Sequence, residues 1–82
     1  MPPDTTPLRL ALGARVRARR AELDLTQEEL AFAAGLNRTQ IGEIERGILN
    51  TGVDNLARLA GGLGLDLGAL LADLGSDHDG GS

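Results

Sequence analysis

A chain of 82 residues allows one domain, and at that length only about 60% of the unfolded surface is buried, which leaves a marginal core and favours a partner chain. The absence of cysteine excludes a disulfide-held exported scaffold and a thiolate metal site, and fits a reducing cytoplasm. A net charge of −4 counts against a nucleic-acid binder unless the charges are segregated. They are: all eight basic residues are arginine, five of them (Arg9, Arg15, Arg17, Arg19, Arg20) fall within 12 positions, and Asp73, Asp77 and Asp79 lie at the far end.

Residues 1–7 carry three prolines and no apolar periodicity, and read as a flexible arm. They hold neither a basic leader nor an apolar stretch, and no apolar run in the chain approaches the roughly 20 residues that span a bilayer, so neither secretion nor membrane insertion is expected. Leu8, Leu12, Val16 and Leu23 then recur at helical spacing among charged residues, predicting an amphipathic helix that ends near Leu25. Thr26 followed three residues later by Glu29 is a capping box, so a second helix runs from Gln27 to Ala34 and stops at Gly35.

Asn37 and Gln40 repeat the capping arrangement for a third helix, Arg38 to Arg46, with Ile41 and Ile44 on its apolar face and Gly47 at its end. Val53, Leu56, Leu59, Ala60 and Leu63 mark a fourth helix, and Asp66 caps a fifth with Leu67, Leu70, Leu71 and Leu74. Residues 75–82 are Gly, Ser and Asp with His78, and read as a disordered acidic tail. Five helices without a strand signal make an all-α domain over residues 8–74, and Phe32, the one aromatic, is expected in its core.

The informative stretch is Gln27 to Arg46. Two short helices joined by a tight glycine-containing turn must cross steeply, which needs a small residue at their contact and apolar residues filling the angle between them. Ala31, Gly35, Leu36, Ile41 and Ile44 meet that demand. With Arg15-Val-Arg-Ala-Arg-Arg20 before it, Thr26-Gln-Glu-Glu-Leu-Ala31, Ala34-Gly-Leu36, Arg38-Thr-Gln-Ile41 and Ile44-Glu-Arg-Gly47 within it, and Asn55-Leu-Ala-Arg-Leu-Ala60 after it, the sequence resembles the Xre/Cro-like family of phage repressors and bacterial regulators. Among short members it resembles the controller proteins of restriction-modification systems.

The resemblance implies a five-helix, lambda-repressor-like domain whose third helix enters the major groove of double-stranded DNA. Arg38, Thr39, Gln40 and Glu43 would then face base edges: Arg38 suits guanine O6 and N7, Gln40 adenine, Thr39 a thymine methyl or a phosphate, and Glu43 the cytosine amine. Gly42, on the same outward face, would allow close approach. Gln27 at the start of the second helix would meet a phosphate, as would Arg46 and Asn50 flanking the end of the third, with Arg17 and Arg19 as further candidates for the backbone. Arg20 and Glu45 would pair inside the domain.

Leu67, Leu70, Leu71 and Leu74 offer more apolar surface than one small domain covers, and predict a homodimer reading a pseudo-palindromic operator. No catalytic triad, phosphate loop or metal-ligand set is present, and no cofactor or enzymatic activity is expected. The alternative function on the same fold is an antitoxin or adaptor that binds a protein, such as a toxin, in place of DNA.

Overall fold

In the computed structural model, which describes residues 4–48 and 51–74, five α-helices form and no strand occurs among the described residues. They are α1 (Thr6–Glu22), α2 (Gln27–Ala34), α3 (Arg38–Glu45), α4 (Val53–Gly62) and α5 (Leu67–Leu71). No helix among the described residues is long and apolar enough to cross a membrane. Helix α1 begins two residues before Leu8, so Thr6 and Pro7 are helical and not part of an arm. The Thr6 amide donates to Asp4 Oδ1 at 2.9 Å, and Pro7 lies in the first turn, where its missing N–H has no helical partner to lose.

Four of the helices stop in the same way. Asp24, Gly35, Gly47 and Gly64 adopt left-handed backbone with φ of 58°, 69°, 74° and 71°. The following amides, of Leu25, Leu36, Ile48 and Leu65, donate back to the carbonyls of Arg20, Ala31, Glu43 and Ala60. This is the Schellman closure, which satisfies the inner orphan carbonyls and turns an apolar residue back onto the helix. The carbonyls beyond its reach still need donors.

Arginines of α1 supply them. Arg15 Nη1 donates to the carbonyls of Leu70, at 3.1 Å, and Ala72 at the end of α5. Arg17 Nη2 donates to the Glu45 carbonyl, the last of α3, at 3.1 Å. Arg19 Nε donates to the Leu63 carbonyl at the end of α4, at 3.0 Å, and Arg20 Nη1 to the Leu25 carbonyl just past α1 itself, at 2.9 Å. Positive charge at a helix C-terminus is favourable. Four of the five cations clustered in the sequence are therefore dispersed to the ends of four helices.

Val16, Leu30, Ile41, Leu59, Leu63 and Leu70 are fully buried at the centre, with Ala31, Ile44 and Ala60 packed among them. Helix α1 reaches this core by lying directly on the end of α3. A Cβ at Gly13 would stand 2.6 Å from the Glu45 carbonyl oxygen and closer still to that of Ile44, so only glycine permits the contact.

Two expectations about the core are corrected. Phe32 is 90% exposed. Helix α2 buries Leu30, Ala31 and Ala34, and at about 100° per residue Phe32 falls on the opposite side, so its position and not its apolarity decides its fate. Leu70 is fully buried and Leu74 nearly so within a single chain, which leaves them little surface to give to a second copy. Of the four leucines expected at a dimer contact, only half-buried Leu67 and exposed Leu71 keep an open side. Leu8 and Leu23, at the two ends of the expected stripe on α1, are likewise exposed.

Candidate nucleic-acid interface

The α2–turn–α3 unit is set by local bonds. Thr26 Oγ1 accepts the Glu29 amide at 3.0 Å while Glu29 Oε1 accepts the Thr26 amide at 2.8 Å. Asn37 and Gln40 repeat the exchange at 2.8 and 2.9 Å, so both capping boxes are formed. Between them Gly35 and Leu36 close α2, Ala31 is buried at the helix contact, and half-buried Leu36 covers the turn.

On α3 the structure exposes Arg38 and Thr39 in the first turn and leaves Gln40 and Glu43 half-buried. Gln40 is partly committed, because its Oε1 already accepts the Asn37 amide, while the amide nitrogen and one lone pair of that oxygen remain. Gly42 is not outward, as expected, but buried. The point where its Cβ would stand is 3.5 Å from Arg46 Nη1 and 3.9 Å from Gln27 Nε2, so side chains from α2 and from the end of α3 cover it.

Beneath this surface Glu45 ties three helices together. Its carboxylate accepts Arg20 Nε at 2.6 Å and Nη2 at 3.0 Å from α1, and Gln27 Nε2 at 3.1 Å from α2. Burial would push the Glu45 carboxyl up, but the hydrogen bonds from Arg20 and Gln27, with the charges of Arg20 and Arg17, outweigh it and hold the group below the usual glutamate range. The internal Arg20–Glu45 pair is thus formed as expected.

Of the residues assigned to the DNA backbone, Gln27 and Arg46 are brought together over Gly42. Arg17 lies beside them, one nitrogen on the Glu45 carbonyl and the residue itself exposed. Arg19 is not brought to α3: it is bound to the end of α4 and to Glu22 Oε1 at 3.1 Å. Asn50, like His78 and the tail, lies outside the described residues.

Sequence reasoning missed Gly13 and the carbonyl-capping arginines. Their spacing carried a signal, since at about 100° per residue Arg15 and Arg19 share one face of a helix and Arg17 falls on the opposite side. The consequence is electrostatic. Most arginines clustered on α1 are bound to helix-end carbonyls, and the exposed cations around α3 include Arg38, Arg46 and, from α1, Arg17.

Comparison with known proteins agrees with this geometry. A protein-family profile described as Helix-turn-helix matches residues 16–70. The chain is 40% identical over 62 residues to control protein C.BamHI of Bacillus amyloliquefaciens, covering 74% of this chain and 76% of that protein. It is 36% identical over 64 residues to the immunity repressor protein of Bacillus phage phi105, covering 78% of this chain and 44% of the repressor. Among solved structures it is similar to the restriction-modification controller protein C.AhdI from Aeromonas hydrophila, with a TM-score of 0.72 and 37% identity over 76% of this chain and 94% of that one.

Proposed function

This chain belongs to the helix-turn-helix family and is a DNA-binding regulator, and from that premise we propose that it acts as a homodimer on a pseudo-palindromic operator, with α3 in the major groove. The observation that carries the reading is the placement of Arg38 and Thr39, exposed on the first turn of α3, one helix away from Gln27 at the start of α2. Groups at the N-terminal end of a recognition helix reach base edges, while the start of the preceding helix meets the phosphate chain.

Arg38 would read guanine by a bidentate pair, with Thr39, the free amide of Gln40 and Glu43 completing the contact. Gln27, Arg46 and Arg17 would fix register without reading sequence. The open sides of Leu67 and Leu71 on α5 support a second copy there, which would set two α3 helices about 34 Å apart on one face of the duplex. Likeness to control protein C.BamHI and to C.AhdI supports a restriction-modification gene pair as the regulated target.

Selection from a random duplex library tests the reading. The expected product is a two-fold-symmetric site bound with steep salt dependence. Enrichment of no sequence over random DNA, or of a site without symmetry by a monomer, overturns it.

A further inference from the structure

Arg46 is the C-cap of α3, yet its guanidinium does not stay at that end. Helical side chains lean toward the N-terminus, so residue 46 overlies residue 42 one turn back. Accordingly Arg46 Nη1 lies 3.5 Å from where a Cβ on Gly42 would be. A cation that merely complements the helix dipole would stay by the last carbonyls. The Glu45 carbonyl, however, is already held by Arg17, and neither the Arg19–Glu22 nor the Arg20–Glu45 ion pair involves Arg46.

Gly42 itself has no conformational reason to be glycine. Its φ is not among the positive ones, and a Cβ there would meet nothing closer than the Arg46 guanidinium, in ordinary contact. Glycine inside an eight-residue helix is unfavourable relative to alanine. What distinguishes the position is its company, since Gln27 Nε2 approaches the same point to 3.9 Å. That amide gives one N–H to Glu45 and has a second to offer.

We propose that Gly42 is a positioning residue for DNA-backbone binding: the bare position lets Arg46 lie back along α3 beside Gln27, so that a guanidinium and an amide from two helices address one phosphate. This rests on the reading of α3 as the DNA-facing helix. A methyl group fits the space, whereas a longer side chain occupies the place of the guanidinium.

The test measures affinity for a random-sequence duplex of about 20 base pairs across about 50 to 200 mM NaCl, where releasing one phosphate lowers the log–log slope by about 0.9 per protomer. Arg46→Ala is expected to lower the slope by that amount. Gly42→Leu and the more flexible Gly42→Met are expected to lower it equally with helical content retained, and to add nothing further in the Arg46→Ala background. Gly42→Ala is expected to keep the wild-type slope and melt no lower than wild type. If Arg46→Ala lowers the slope while a folded Gly42→Leu or Gly42→Met keeps it, the positioning role is wrong. If Arg46→Ala leaves the slope unchanged, the phosphate contact itself is wrong. Should both long-chain variants unfold, position 42 is a packing site and the proposal falls.

Discussion

Arg20 and Glu45 form a two-pronged pair, Nε and Nη2 on the two carboxylate oxygens at 2.6 and 3.0 Å, across the interface of α1 and α3. Glu45 is almost wholly buried and Arg20 largely so. Removing one partner strands a buried charge, so Arg20→Met is expected to cost about 3 kcal/mol in urea unfolding, and Arg20→Met with Glu45→Leu to recover most of it. Equal stability of the single and double variants would show that the charges are not coupled.

Acid should find the same residue. Glu45 titrates below its ordinary value in the folded chain, so its stabilisation is complete above the unfolded glutamate pKa of about 4.3 and is lost as pH falls through the lower folded value. As pH falls below about 5, the wild type should lose more stability than Glu45→Gln, which starts lower but has no charge to surrender. Parallel curves of unfolding free energy against pH would remove Glu45 from the acid response.

The contact of α1 with the end of α3 depends on a missing side chain. A Cβ at residue 13 would press on the backbone carbonyls of Ile44 and Glu45, which cannot swing aside as a side chain can. Gly13→Ala should therefore destabilise by about 3 kcal/mol, despite the better helix propensity of alanine. A melting temperature at or above wild type would show that the two helices can part at little cost.

Leu30 and Phe32 separate residue type from position on α2. Leu30→Ala should cost about 2–5 kcal/mol and Phe32→Ala no more than about 0.5 kcal/mol, because one is fully buried and the other 90% exposed. Chemical denaturation of the two variants side by side decides it, and a large loss at Phe32 would contradict its placement.

Arg38→Ala should cost about 1–3 kcal/mol on the selected operator and relax discrimination at one base pair, with a much smaller effect on random duplex. Uniform weakening on all duplexes, read by anisotropy, would make Arg38 a phosphate contact and move base reading elsewhere on α3.

The limits of α2 and α3 are legible in the sequence because local chemistry sets them: Thr26 with Glu29 and Asn37 with Gln40 need only their neighbours along the chain. The Arg20–Glu45 pair comes with the family likeness and cannot be deduced from spacing. Phe32 is misplaced when its apolarity is weighed above the face defined by Leu30, Ala31 and Ala34. Leu70 and Leu74 are expected at a partner because a leucine-rich helix looks the same in sequence whether its own chain or another covers it. The destinations of Arg15, Arg17 and Arg19 depend on which helix end arrives beside α1, which is known only once the helices pack.

The arginines on α1 bear on what the smallest working reader can be. The stretch from Gln27 to Arg46 carries the proposed reading groups, but its last helical carbonyl is closed by Arg17, its buried acid by Arg20, and its packing against α1 by Gly13. A peptide of those residues would leave that carbonyl without its donor and that acid with Gln27 alone. Autonomy belongs to the domain, and a change in α1, far from any base, can be felt as a loss of DNA recognition.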